Sequence, residues 1–153
     1  MIQPQINFSA DKEIIDLHKL QNLFNLATFW ARDRHLTDLA TAVQFSEPVI
    51  SVWDRSFLIG FARATSDGIY RATVWDVVIH PDYRGQGLGR KLIETLLAHP
   101  RLQKVEKIYL MTTYQQKFYQ CLGFEENQST VMVLINSRDN LSSQEEEEIL
   151  SLS

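Results

Sequence analysis

The chain has 153 residues, of which 44% are hydrophobic and 22% charged, and its formal net charge is −4 at pH 7. This composition is typical of a globular domain with a sizeable core, and the lack of a basic excess argues against a nucleic-acid partner. The sequence shows neither an apolar run near the ~20 residues of a membrane span nor a signal-peptide pattern, so we expect a cytoplasmic protein with no membrane partner. Cys121 is the single cysteine, which excludes an internal disulfide.

The first third of the chain predicts a short strand and two helices. A strand is expected within residues 3–8, and a helix over 13–28, where apolar residues recur on one stripe. An aromatic and basic loop follows, and a second helix is expected over 37–45. In this loop, Phe29 and Trp30 are interpreted as packing residues and the two arginines, Arg32 and Arg34, as solvated ones.

The middle of the chain predicts a sheet, and the whole pattern indicates an α+β fold. Strands are expected over 49–53, 57–64 and 69–79, and Asp67-Gly68 marks a hairpin turn. A strand over 107–112 follows a helix, so it should lie parallel to the strand before that helix. The remaining elements are a short helix over 115–122, a strand from Phe124 and a closing strand over 131–135.

The domain organisation is expected to be simple. Residues 1–136 should form one domain. Residues 137–153 are rich in Ser and Glu and include four consecutive glutamates, which predicts an acidic, flexible tail.

One stretch, residues 75–92, predicts an anion-binding site. A β-branched run at residues 77–79 ends a strand, Gly85, Gly87 and Gly89 allow a tight loop, and a helical pattern begins at Leu88. Strand, glycine loop and helix N-terminus in this order bring free amides and the positive end of the helix dipole together. Arg90 lies in the first helical turn, where the dipole disfavours cations, so a bound polyphosphate would stabilise this arrangement.

The run Arg84-Gly85-Gln86-Gly87-Leu88-Gly89 fits neither the Walker loop nor the dinucleotide fingerprint. It resembles the Arg/Gln-x-x-Gly-x-Gly/Ala motif of the GNAT N-acetyltransferase family, and the stretch from Phe118 to Phe124 is similar to a second mark of that family. Trp75-Asp76-Val77-Val78 with this loop is similar to the plastid and cyanobacterial subgroup that includes serotonin N-acetyltransferase. The resemblance covers about residues 49–135.

The resemblance implies a fold and an activity. The fold is a mixed, mostly antiparallel sheet of about six to seven strands, flanked by about four helices. The activity is transfer of acetyl from acetyl-CoA to a primary amine, with a small arylalkylamine such as serotonin favoured. Acetylation of protein lysines or N-termini, or a non-catalytic CoA-binding regulatory module, are the alternatives. The resemblance also makes a homodimer possible, and the four scattered histidines show no metal-ligand spacing.

The resemblance also implies which residues hold the donor. The backbone at the end of the strand would bind the pantetheine arm, and the glycine loop the pyrophosphate. The first set is Val77, Val78 and Ile79; the second is Arg84, Gly85, Gln86, Gly87, Leu88, Gly89 and Arg90. The Val78 amide is preferred for polarising the thioester carbonyl. A family asparagine that contacts the donor is replaced here by the run Thr112-Thr113-Tyr114-Gln115.

The chemistry requires a neutral amine, and an amine of pKa ~10.4 costs about 4.6 kcal/mol to deprotonate at pH 7. Asp76 interrupts an apolar strand, where a carboxylate is costly unless it is paired or used. We predict that it is the general base, directly or through water; the alternative is an ion pair with Arg63 or Arg71. His80 is a weaker base candidate. By resemblance, Tyr119 would protonate the leaving thiolate, and a core aromatic role is its alternative.

Overall fold

The computed structural model describes residues 2–136 and contains one five-stranded sheet with strand order β1-β2-β3-β4-β5. The strands are β1 (Ile6–Ser9), β2 (Val49–Asp54), β3 (Phe57–Ser66), β4 (Arg71–Ile79) and β5 (Lys107–Tyr109). Strands β1 to β4 are antiparallel, and β5 pairs parallel to β4. The predicted mixed, mostly antiparallel α+β architecture is confirmed, with five strands in the described residues instead of six or seven.

In the part of the chain that the structure describes, five α-helices accompany the sheet: α1 (Leu17–Ala27), α2 (Leu36–Gln44), α3 (Leu88–Leu97), α4 (Pro100–Gln103) and α5 (Gln116–Gln120). The first helix begins later than predicted, because Asp16 is its N-cap and accepts hydrogen bonds from the amides of His18 and Lys19. Asp11 instead caps a separate single turn of 3-10 helix, Lys12–Ile14.

The two faces of the sheet are covered by different helices. Side chains from α1 and α2 pack with one face of the sheet in a cluster that includes Phe24, Phe61 and Val78. The rings of Phe24 and Phe61 meet edge to face, with centroids 5.6 Å apart. Helix α3 contacts β2, β3 and β4 with buried side chains that lie outside this cluster, so it covers the other face.

The first compact unit ends at Leu110, and the second begins at Met111. The second unit contains α5, which is followed by Gly123 at a φ of +98°, as expected for a residue after a helix. The predicted strands from Phe124 and over residues 131–135 are wrong, because none of residues 111–136 forms a strand. Met132 is 90% exposed and Leu134 88%, so this apolar run lacks the packed neighbours that favour a strand.

The predicted acidic tail, residues 137–153, lies outside the described residues. Within residues 2–136, none of the helices combines the length and the apolar character needed to cross a bilayer.

Candidate active site

The edge of β4 opens after the first third of the strand. The ladder between β4 and β5 begins at Arg71 and ends at Thr73, which pairs with Tyr109. Within residues 2–136, β4 continues for six residues to Ile79 with β3 as its one paired strand. The main-chain groups that point away from β3 over this stretch can therefore bind an extended ligand.

The direction of these groups follows from the ladder. The His80 amide donates to the Ile59 carbonyl at 2.7 Å, and Gly60 and Phe61 pair with Ile79 and Val78. Because hydrogen-bonding direction alternates along an antiparallel strand, the Val78 amide points to β3 and the Ile79 amide to the open edge. This alternation disfavours Val78 as the thioester-polarising amide and favours Ile79.

A β-bulge separates this stretch from the rest of β4. The ladder shifts register between Phe61, which pairs with Val78, and Arg63, which pairs with Trp75. Two residues of β4, Asp76 and Val77, therefore oppose a single residue of β3. Asp76 has a φ of +56°, in the left-handed region that Asp and Asn adopt more readily than other non-glycine residues.

The Asp76 carboxylate forms two ion pairs. Arg63 Nε lies 2.8 Å and Arg34 Nη1 2.9 Å from the same oxygen, Oδ2, and the side chain of Asp76 is only 7% exposed. The two guanidinium groups compensate a charge that would be costly to bury alone. Arg63 Nη1 also donates to the hydroxyl of the buried Ser46 at 3.2 Å. The network thus connects β4 and β3 with the segment before α2 and the segment after it.

Asp76 pairs with Arg63, one of its two expected arginine partners, whereas the other, Arg71, pairs with Glu106 at 3.2 Å. This ion pair leaves the predicted base role of Asp76 untested. The interpretation of Arg34 as a solvated side chain is wrong, because its pairing holds it against β4. The local sequence does not distinguish Arg34 from Arg32. The difference comes from the carboxylate of Asp76, 42 positions away, with which Arg34 pairs.

The glycine loop leads into an open helix N-terminus. Gly85 and Gly87 both have a φ of +78°, and a Cβ at either position would meet no atom within 4 Å. Gly87 is the N-cap of α3 and has no side chain to cap it, and the Lys91 amide makes the first helical bond to the Gly87 carbonyl. The amides of the first turn therefore lack intrahelical partners and face accessible space, which suits the diphosphate of acetyl-CoA.

The charged side chains of the loop make protein contacts. Arg84 donates from Nε to the Ile79 carbonyl and from Nη2 to the Ala27 carbonyl, both at 3.1 Å. Arg90 Nε lies 2.7 Å from a carboxylate oxygen of Glu94, one turn along the exposed surface of α3. A phosphate contact from Arg84 would therefore come from its main chain rather than from its guanidinium.

The turn before the loop is held by a carboxylate. The Tyr83 hydroxyl donates to Asp54 Oδ2 at 2.5 Å, and the Gln5 amide donates to Oδ1 at 3.0 Å. The hydrogen bond from Tyr83 is the main cause that lowers the pKa of Asp54, and the same bond raises the pKa of Tyr83. His80 Nδ1 accepts from the Asp82 amide at 3.1 Å, so the neutral ring carries its proton on Nε2, and this contact disfavours His80 as the base.

Tyr119 belongs to the second unit, where it is half-buried on α5. Its ring meets Phe118 and Phe124 edge to face, at centroid distances of 4.9 Å and 5.8 Å. Burial raises the pKa of Tyr119 to about 12. The hydroxyl therefore keeps its proton at neutral pH, which a general acid requires.

The segment between α1 and α2 carries two aromatic side chains. The rings of Phe29 and Trp30 meet edge to face at 5.2 Å, and Phe29 is 39% exposed. Trp30 packs against the core cluster, as predicted. Within residues 2–136, no three His, Cys, Asp or Glu side chains are grouped so that they could hold a metal ion.

Comparison with known proteins agrees with this geometry. Residues 47–126 match the family described as "Acetyltransferase (GNAT) domain". The chain is 41% identical over 115 residues to an uncharacterized N-acetyltransferase, ycf52, of Gracilaria tenuistipitata var. liui, covering 72% of this chain and 62% of that protein. It is 39% identical over 133 residues to histone acetyltransferase TAP1 of Glycine max, covering 79% of this chain and 56% of that protein.

A shorter match is to a protein whose name specifies a substrate. Over 67 residues the chain is 45% identical to serotonin N-acetyltransferase 2, chloroplastic, of Oryza sativa subsp. japonica, covering 43% of this chain and 34% of that protein. The chain therefore spans less than two thirds of the length of these three relatives. Among solved structures, an acetyltransferase of the GNAT family from Xanthomonas campestris pv. campestris, itself described as putative, superposes with a TM-score of 0.74 at 28% identity. That match covers 82% of this chain and 87% of the other.

Proposed function

Because the chain belongs to the GNAT family of acetyl-CoA-dependent acetyltransferases, we propose that it acetylates a small arylalkylamine such as serotonin. The observation that carries the donor site is the open edge of β4, which leads directly into the uncapped N-terminus of α3. An extended arm that ends in a diphosphate needs these two features in this order.

The geometry supports the following donor site. Main-chain groups at the open edge, with Ile79 foremost, would hold the pantetheine arm, and the amides of residues 85–89 the pyrophosphate. Acetyl-CoA supplies a thioester whose carbonyl carbon accepts the nucleophile. A main-chain N–H directed at the carbonyl oxygen stabilises the negative charge that develops there.

The proton balance assigns two roles to side chains. The amine nitrogen forms a bond to the acetyl carbon while the carbon–sulfur bond breaks, so the amine loses one proton and the thiolate gains one. We assign the first proton to Asp76, directly or through water; neither of its ion pairs uses Oδ1, so this oxygen can accept it. We assign the second to Tyr119, whose raised pKa keeps the donor protonated.

Two observations support an arylalkylamine as the acceptor. One is the match to a protein named serotonin N-acetyltransferase. The other is the pair of aromatic rings, Phe29 and Trp30, on a segment tied to the β4 bulge through Arg34. Aromatic side chains of this kind suit an indole or phenyl ring.

Acetylation of protein lysines is the second candidate, because a relative that is 39% identical over 133 residues is named a histone acetyltransferase. Thiol release from acetyl-CoA in the presence of serotonin, tryptamine, spermidine or a lysine peptide separates the candidates. We expect selective turnover of the two indole amines. Turnover of the peptide alone would move the function to protein modification.

Two matched variants test whether the chain is a CoA-binding module without catalysis. Asp76→Asn and Tyr119→Phe each remove one proton-transfer group and keep the shape of the side chain. We expect both to retain acetyl-CoA affinity and to lose turnover by roughly 10²-fold or more. Binding of acetyl-CoA with no turnover of any amine in the unmodified protein would support the binding module instead.

A further inference from the structure

Residues 28–35 connect α1 to α2, and we call them, together with Ala27 at the end of α1, the connecting segment. We infer that two arginines clamp this segment to β4, Arg34 at the bulge and Arg84 at the end of the strand, and that the clamp positions the acceptor amine. The inference rests on the proposed transfer to an amine. It assigns the guanidinium of Arg84 to the connecting segment instead of to phosphate.

The first contact is made by Arg34. Its Nη1 lies 2.9 Å from Asp76 Oδ2, and its guanidinium lies over the ring of Phe24, 5.3 Å from the centroid. Its carbonyl accepts a hydrogen bond from the Gln21 side chain at 2.8 Å. Arg34 is therefore held through its main chain by α1 and through its side chain by β4, and a planar cation that both stacks and pairs has little freedom to move.

The second contact is made by Arg84. Ala27 is the last residue of α1, so its carbonyl has no intrahelical partner, and a cation there is favourable to the helix dipole. Arg84 Nη2 donates to this carbonyl at 3.1 Å, and Nε donates to the Ile79 carbonyl at the same distance. One side chain thus joins the start of the connecting segment to the C-terminal end of β4.

Between these contacts the segment is braced by its own hydrogen bonds. Arg32 Nε donates to the Thr28 carbonyl at 2.8 Å, and the Asp33 amide donates to the Asn25 side chain at 2.9 Å. The Thr28 hydroxyl donates to the Phe24 carbonyl at 2.7 Å. These bonds set the shape of the segment relative to α1, whereas Arg34 and Arg84 join it to β4.

The two attachment points on β4 delimit the reacting stretch. Asp76 and Ile79 are the first and last residues of the four-residue stretch assigned to the base and the thioester arm. The segment that carries Phe29 and Trp30 is thus attached at both ends of this stretch. Loss of either arginine contact should move the acceptor relative to the thioester, while the amides that hold the donor stay in place.

Steady-state kinetics test the clamp with Arg34→Gln and Arg84→Gln. For the best amine of the panel, we expect each variant to raise the acceptor KM roughly tenfold, the effect of one lost charge-assisted contact, with the acetyl-CoA KM changed less than about twofold. Arg71→Gln is the matched control. It removes an exposed ion pair to Glu106 at the opposite end of β4 and should change neither KM.

A second measurement needs no acceptor, so it separates failure of the clamp from failure of the proposed substrate. Amide hydrogen exchange in residues 28–35 should be faster in Arg34→Gln and Arg84→Gln than in the wild type and in Arg71→Gln. Where Arg34→Gln does not fold, Arg34→Lys keeps the charge but loses the planar contact, and it should show the same change in exchange. Unchanged exchange, or an Arg84→Gln variant that raises only the acetyl-CoA KM, would overturn the inference.

Discussion

Arg63 on β3 and Asp76 on β4 form a 2.8 Å ion pair across the point where the two strands shift register. The bulge and the ion pair lie at the same place in the sheet. The extra residue gives β4 a position at positive φ, and the arginine compensates the carboxylate that this position carries. The residue proposed as the base therefore also stabilises the contact between β3 and β4. The catalytic and the structural role need to be separated by experiment.

Substitutions at Asp76 should separate charge from backbone conformation. Asp76→Asn keeps a residue that tolerates positive φ but leaves Arg63 and Arg34 without their carboxylate, so we expect a loss of about 2–4 kcal/mol in the free energy of unfolding. Asp76→Ala should lose about 1 kcal/mol more, because Ala is strained in the left-handed region. Urea unfolding measures both values. Equal stability of the two variants would show that the backbone conformation carries no cost.

Substitution of Gly87 should weaken donor binding. Gly87→Ala places a Cβ at φ +78° in the loop before α3, so we expect a loss of about 1 kcal/mol in stability and a several-fold higher acetyl-CoA KM. Gly68→Ala is the control, because Gly68 has a φ of +82° in the β3–β4 hairpin, away from the loop. It should show a comparable change in the urea midpoint and no change in KM. A raised acetyl-CoA KM in the control would refute the local explanation.

The Tyr83–Asp54 hydrogen bond should make stability depend on pH at the acid end. The pKa of Asp54 is lowered from 3.8, so its contribution is present above that value and is lost as pH falls through the lower value of the folded state. Thermal melting of the wild type and Tyr83→Phe from pH ~2 to ~7 measures this. The wild type should be more stable near neutrality, with a difference that shrinks below pH 3.8. A constant difference over the whole range would contradict the assignment.

Tyr119 should not limit turnover on the alkaline side. Its pKa of about 12 means that the hydroxyl stays protonated throughout the ordinary assay range. We therefore expect the kcat values of the wild type and of Tyr119→Phe to depend on pH in the same way from about pH 7 to about pH 10. The variant should be slower by roughly 10²-fold at every pH. A wild-type decline near pH 9 that disappears in Tyr119→Phe would place this pKa well below the value expected from burial.

Much of this site could be predicted from local sequence. Gly85, Gly87 and the β-branched run before them specify a strand, a loop at positive φ and a helix start, because each depends on neighbours within a few positions. The parallel placement of β5 also followed, because a helix between two strands favours a right-handed crossover. The strands predicted after residue 123 failed for the converse reason: an apolar run becomes a strand only where another strand and a packed face receive it.

The sequence by itself determined the order of the five strands and of helices α1, α2, α3 and α5, and the glycine loop before α3, since these arise from local backbone preferences and hydrophobic periodicity. Only the tertiary structure decided which arginines pair with Asp76, which amide of β4 faces the open edge, and where the guanidinium of Arg84 binds. Those outcomes depend on ladder register and on side-chain contacts between residues 13 to 57 positions apart. The physical reason is that register and burial are set by the assembled sheet and helices, and a buried carboxylate takes the cations that the fold brings to it.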